Sequence, residues 1–485
     1  MAITRRQFIK RTGAATAGTL FGPSLFNNPF LRKALADTIG DRYFVVVYLD
    51  GGNDGLNTVT PHDNGPGNST GLRSDYNVAR TSLNLAQSDL DNTKIGTDPN
   101  TTARLALHPG LAGLWRLYQD GHVAIVQGCG YPQYSLSHDQ SRTVWQTADP
   151  LGLGTNGGWV GRYLAANYGG SDIPGVNVSD RIVGEFKTTA TSIITIDQLA
   201  NFGFPYDYFD GNDDAFKRAA FATLCNAASG DAQPVIKYIG ESGAATLLGS
   251  ESYPALDGLY QNTRGGTWNQ DYSDVGRSLA RDLREVAKVI YGQVHVPPAD
   301  NVKARFFQVS NGGYDTHSDQ GAAQPDGQHY SLHGELGDSL EVFYRDCEDM
   351  GVADKLCVVV WSEFSRRIQQ NDSGTDHGSQ APMFVIGGTV KGGPNPLIGG
   401  PNGGVYGNHP NINDAALNPD DGNTVYKQGA NAFRSTDLRD VYGTLLKHWL
   451  GMVDPSVLLP LDTVPGGGDS DDYWTAANFD LGFLP

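Results

Sequence analysis

Tyr43-Phe44-Val45-Val46-Val47-Tyr48-Leu49 is an unbroken run of β-branched and aromatic residues, and it ends in Asp50-Gly51-Gly52-Asn53-Asp54-Gly55. Neither alternating face of the run is polar. That suits a strand buried on both sides, as in the middle of a parallel sheet. Similar runs recur at residues 123–126, 306–309, 356–361 and 383–386. Helical spacing lies between them, at 108–121, at 274–291 with Leu279, Leu283, Val286 and Ile290 on one stripe, at 331–350 and at 437–450. This alternation predicts an α/β fold: a mostly parallel central sheet with helices on both faces. Residues 170–270 lose the alternation and read as an inserted cap subdomain with a helix over 215–228, while 62–103 are polar and weakly patterned.

In such sheets sites form beyond the carboxyl ends of the strands, and five strand-end segments carry polar candidates. Asp50 and Asp54 follow the first strand. Ser137 and His138 open a helix after the second, with Ser137 and Gln140 spaced as a capping box. Asp315 and His317 follow the strand at 306–309, and two residues apart in extended chain they face the same side. Glu363 follows the strand at 356–361, and Asp376-His377 precedes the last strand. Imidazole with carboxylate suits Zn²⁺ or Mn²⁺ better than Mg²⁺ or Ca²⁺, which take all-oxygen sets. Each candidate also has a plain structural use. A glycine-flanked aspartate such as Asp50 or Asp54 often bonds its own turn, and Ser137 fits a helix cap. His333 and His448 read as structural, and Arg366-Arg367 as ion-pair partners or an anion site.

The N-terminus has a different character. Thr4-Arg5-Arg6-Gln7-Phe8-Ile9-Lys10, a weakly apolar run and Ala34-Leu35-Ala36 are the parts of a twin-arginine signal peptide over residues 1–36, leaving a mature domain of 37–485. The expected partner is the twin-arginine export machinery, and the expected location is periplasmic or secreted. No other stretch has the roughly 18 uninterrupted apolar residues of a membrane span. Residues 1–36 hold six Lys/Arg and no acid, so the formal charge of −18 becomes −24 without them. Such a surface excludes nucleic acid as a partner and makes an anionic substrate depend on a local positive centre. Cys129, Cys225, Cys347 and Cys357 form no C-x-x-C pair, and three of them sit beside apolar runs, as buried thiols do.

Asp50-Gly51-Gly52-Asn53-Asp54-Gly55, Ser137-His138, Gly157-Gly158-Trp159, Gly313-Tyr314-Asp315-Thr316-His317, Ser362-Glu363-Phe364-Ser365-Arg366-Arg367 and Gly374-Thr375-Asp376-His377-Gly378 together resemble the motifs of the DUF1501 family of exported bacterial proteins. That family is similar to the alkaline phosphatase/sulfatase superfamily. The resemblance implies an alkaline phosphatase-like fold and a metal-dependent hydrolase of phosphate or sulfate esters, on a small-molecule or polysaccharide substrate. It implies Ser137, or a water held on the metal, as nucleophile, with His138 beside it. The implied metal ligands are Asp50, Asp54, Asp315, His317, Glu363, Asp376 and His377. One piece departs: the superfamily places Asp-His after the strand that here ends at Trp361, where this chain has Ser362-Glu363. The departure favours one metal over two. It also keeps a second reading open, a non-catalytic envelope or polysaccharide-binding protein on the same scaffold.

Overall fold

In a computed structural model of the chain, residues 40–150, 157–169, 172–179, 183–188, 190–204, 213–264, 272, 278–295, 304–394, 399–412, 434–460, 474 and 479–485 are described. The signal peptide expected over 1–36 lies outside them. The opening run forms β1 (Tyr43–Asp50), and eight further strands complete its sheet. These are β2 (Val123–Gly130), β3 (Gly175–Val178), β4 (Ile193–Ile196), β5 (Phe306–Gly312), β6 (Leu356–Ser362), β7 (Ala381–Ile386), β8 (Val405–Tyr406) and β9 (Thr436–Asp437). The order is β8-β2-β7-β6-β1-β5-β3-β4, with β9 also on β2. β1 pairs in parallel with both β5 and β6, so it is central, as its two apolar faces require.

The side chains of β1 divide between two cores. Tyr43, Val45, Val47 and Leu49 enter one, and Phe44, Val46 and Tyr48 enter the other. The first core is closed by α1 (Ala112–Gln119), α6 (Ser278–His295) and α7 (Gln328–Asp349). The second is closed by α2 (His138–Thr147), α3 (Trp159–Asn167) and α8 (Leu438–Thr444). The expected mostly parallel sheet with helices on both faces is therefore the architecture found. Among the described residues, no helix is long and apolar enough to cross a membrane.

Three expectations change in detail. β7 runs antiparallel to β2 and β6, so its start, not its end, lies at the carboxyl edge of the parallel strands. That is why His377, four residues before β7, reaches the same edge as Asp315. The span 170–270 is not wholly an insertion: among the described residues, β3 and β4 extend the main sheet, α5 (Pro234–Arg264) sends Ala245, Tyr253 and Tyr260 into the first core, and α4 (Asp214–Ser229) packs on α5. Residues 62–103 are more ordered than their pattern implies: Lys94–Thr97 joins Val59–Pro61 and Arg104–Leu107 in a three-stranded antiparallel sheet, and Leu72–Ala79 is a helix.

Candidate metal centre

Arg366 organises the edge where the strands end. Its side chain is fully buried and donates to the carbonyls of Gly52 (2.6 Å), Thr375 (2.9 Å) and Tyr314 (2.8 Å), to that of Gly51, and to Asp315 Oδ1 (2.8 Å). One guanidinium thus ties the loops after β1 and β5 to the loop that carries His377. The approach is close enough to need glycine. Gly51 has φ +122°, and a Cβ there would sit 2.4 Å from the Asp315 nitrogen. Of the two uses considered for Arg366, the structural one is found.

Three imidazoles then point at Asp315. His138 Nε2 lies 3.5 Å from Asp315 Oδ2. His317 Nε2 lies 3.1 Å and His377 Nε2 3.2 Å from Oδ1, and those two nitrogens are 3.0 Å apart. The other nitrogen of each ring is engaged: Nδ1 of His138 with Glu363 Oε1 (2.8 Å), of His317 with Asp376 Oδ1 (3.2 Å), and of His377 with the Leu136 carbonyl (2.7 Å). A carbonyl only accepts, so His377 carries its proton on Nδ1 and presents a lone pair at Nε2 when neutral. His317 faces a carboxylate from each nitrogen, Asp376 at Nδ1 and Asp315 at Nε2, so a proton or a cation at its Nε2 satisfies the contact with Asp315 and with the His377 lone pair alike.

The donors fit a metal. Bonds of about 2.0–2.1 Å in tetrahedral geometry place ligand atoms roughly 3.3 Å apart; each imidazole lies 3.1 to 3.5 Å from an Asp315 oxygen, and the His317 and His377 nitrogens lie 3.0 Å apart. His138, Asp315 and His377 offer ligand atoms all within 4.8 Å of one another. A metal-binding histidine commonly gives its second N–H to a carboxylate or carbonyl, and all three rings do so here. The charge balance agrees. Burial alone would raise the Asp315 carboxyl, but the hydrogen bond and charge of Arg366, with His377 and His317, bring it down to about 2. Burial lowers His377 and keeps it neutral. The hydrogen bond to Glu363 raises His138, so a metal there would displace a proton.

Several sequence candidates take other places. His138, expected beside the nucleophile, is a ligand candidate. Glu363 is a buried support: its carboxylate accepts from Gly51 N–H (3.0 Å) and Ser362 Oγ (3.2 Å) as well as facing His138. Asp376 likewise faces His317 rather than the centre. Asp54 is fully buried and held by Arg80, at 2.5 and 2.9 Å, and by Gln320 Nε2 at 2.7 Å, and it is not in the group of ligand atoms around Asp315. Asp50 accepts from Tyr48 Oη (2.9 Å) and faces Arg142 at 3.6 Å, outside the imidazole group. Ser137 is exposed at the N-cap of α2 and forms no cap bond; Gln140 accepts instead from Ser135 Oγ, so the expected capping box is not made. The four cysteines are buried thiols.

The sequence reading passed over Arg80 and Gln320, which hold Asp54 in place. His333, expected to be structural, sits in a buried trio of rings with His108 and His329, with centroids 4.0 to 5.2 Å apart. His329 and His333 lie one turn apart on α7, but nothing local in the sequence joins them to His108 or to Asn53, 276 positions from His329, or joins Gln320 to Asp54, 266 positions away.

Fold and site define an α/β protein with a histidine-rich candidate metal centre at the carboxyl edge of its sheet. A family model described as a protein of unknown function (DUF1501) matches residues 299–396, the span that contributes Asp315, His317, Glu363, Arg366, Asp376 and His377. Among solved structures, the chain is similar to the lipoteichoic acid synthase LtaP from Listeria monocytogenes, at 10% identity and a TM-score of 0.23 over 73% of this chain and 71% of that one. No curated protein matches.

Proposed function

We propose that the chain is an exported, metal-dependent hydrolase of phosphate or sulfate esters with one metal centre, formed by His138, Asp315, His317 and His377. The observation that carries the proposal is the convergence of three imidazoles on Asp315, each aimed by its own acceptor, with the ligand atoms of His138, Asp315 and His377 all within 4.8 Å of one another and His317 beside His377. When bound, a divalent metal, Zn²⁺ or Mn²⁺ by this donor set, supplies positive charge for the ester oxygens. The chain's own residues do the rest. Arg366 keeps Asp315 ionised, Glu363 and Asp376 fix two rings, and Leu136 fixes the third. The carboxylates that a second metal would need, Asp54 and Glu363, are already spent on protein partners.

Attack by solvent water fits better than attack by Ser137, because no hydrogen bond links the exposed Ser137 hydroxyl to a base. Water adds to phosphorus or sulfur, the bond to the ester oxygen breaks, and the alcohol leaves with a proton. The Arg5-Arg6 segment and Ala34-Leu35-Ala36 support export by the twin-arginine route to the periplasm or beyond.

Metal content and turnover of aryl phosphate and sulfate esters test the proposal on protein exported by its natural host. Expected are about one equivalent of metal, turnover that chelation abolishes, no turnover in His377→Ala, and near-normal turnover in Ser137→Ala. Loss of turnover in Ser137→Ala would return the serine to the nucleophile's role. Bound metal without turnover would favour the binding-protein reading, and absence of both would end the proposal.

A further inference from the structure

On the opposite side of β6 from the first core, three polar side chains lie buried without partners. Glu185 sits in a single helical turn (Gly184–Phe186), Gln308 on β5 and Trp361 on β6, each at most 1% exposed. Five of their atoms have no hydrogen-bond partner: both Glu185 carboxyl oxygens, both Gln308 amide atoms and Trp361 Nε1. The groups are nonetheless neighbours, since Trp361 and Gln308 both act on the Glu185 carboxyl. Trp361 and Gln308 are within hydrogen-bonding reach of the Glu185 carboxyl, yet no well-aligned bond joins them, so these polar groups sit unsatisfied in a layer that includes Phe306, Trp159 and Tyr163.

We propose that Glu185, Gln308 and Trp361 form an internal water-binding site in the helix-covered layer between the sheet and α2–α3. Leaving such groups dry is costly, because a buried donor or acceptor forfeits its hydration, and this ordinarily selects either direct pairing or ordered water. The mixture of groups selects the occupant. The Trp361 and Gln308 N–H donors disfavour a bare cation, and the carboxyl and amide oxygens disfavour a bare anion. Water both donates and accepts, so one or two molecules satisfy all three residues.

The same site keeps a proton. Burial, opposed by Trp361 and Gln308, pushes the Glu185 carboxyl up to about 8, so it is neutral at pH 7 and can itself donate to water. Burial raises the Tyr442 phenol of α8, and the Glu185 carboxyl, once ionised, raises it further. Trp361 stacks on Trp145 of α2 with ring centroids 5.3 Å apart, and Trp145 lies on the helix that opens with His138. The water site therefore borders the element that presents a metal-ligand candidate, without touching the metal centre.

A crystal structure of the full mature chain near pH 7, at a resolution that shows ordered water, tests the proposal directly. Water bonded to Glu185 and to at least one of Gln308 and Trp361 is expected; a dry site with these side chains bonded directly to one another would overturn it. Tryptophan fluorescence tests the proton. The wild-type protein should show a transition centred near pH 8 that is absent from Glu185→Gln, with Trp361→Phe losing the signal as well. The same transition in Glu185→Gln, or none in the wild type, would refute the protonated acid.

Discussion

At the scale of single residues, roles follow from what each polar atom already touches. Glu363 and Asp54 are both strand-end acids, both fully buried, and neither is positioned as a ligand. Glu363 spends one oxygen on His138, so Glu363→Gln should keep the fold and all four donors while weakening metal affinity roughly 10- to 100-fold. Calorimetric zinc titration reads the affinity. An NMR titration of the metal-free protein reads the cause, because the hydrogen bond that raises His138 is weakened and its pKa should fall. Asp54 instead pairs with Arg80 where both side chains are 0% exposed. Removing one partner strands a buried charge, so Arg80→Met should cost about 3–5 kcal/mol in urea unfolding, and Arg80→Met with Asp54→Asn should recover much of it. Per folded molecule, zinc affinity should be unchanged in both, an outcome that a ligand role for Asp54 would not allow.

At the scale of elements, the site depends on loops that touch through backbone. Gly51 pairs φ +122° with a Cβ position 2.4 Å from the Asp315 nitrogen and 2.9 Å from the Tyr314 carbonyl carbon. Backbone atoms at both contacts cannot swing away, so Gly51→Ala should destabilise by about 1–3 kcal/mol and weaken metal binding by displacing Asp315. Gly312 lies one residue beyond this seam and has nothing within 4 Å of its Cβ position, so Gly312→Ala should leave zinc affinity near wild type. The contrast explains what the sequence made legible. β1 and β6 declare themselves because burial on both faces leaves no polar position before their last residue, β5 does so with Gln308 as the one polar interruption of 306–309, and Asp315/His317 and Asp376/His377 do so because each pair is local. The direction of β7 was not legible, since residues 381–386 look the same run either way. Nor was the ligand role of His138, whose support Glu363 lies 225 residues away, or the fate of Asp54, whose partner Arg80 lies in a weakly patterned segment. β3 and β4 are four-residue strands at the sheet's edge, too short to stand out from the loops around them.

At the scale of the whole molecule, the buried histidines set the response to acid. His108, His329 and His333 are fully buried, and burial lowers all three, His108 to about 4 and the other two well below their ordinary value. Their remaining contacts suit neutral rings: His333 Nδ1 donates to the His329 carbonyl, Gly110 N–H donates to His108 Nδ1, and His329 Nε2 faces Asn53 Oδ1. The folded chain therefore resists protons that the unfolded chain accepts below about pH 6.5. Stability contributed by the neutral rings is complete above that pH and is lost as pH falls toward the folded values, at up to about 1.4 kcal/mol per unit for each ring. Protonation of surface acids relieves self-repulsion over the same range and opposes the trend, so comparison with a variant is needed. His333→Gln can retain a donor toward the His329 carbonyl and an acceptor toward Thr58 without titrating. Its unfolding free energy in urea should fall less steeply between pH 6.5 and 5, by nearly one proton's worth of slope. Equal slopes in variant and wild type would mean that His333 is protonated inside the fold, and that the trio is a charged cluster rather than a neutral one.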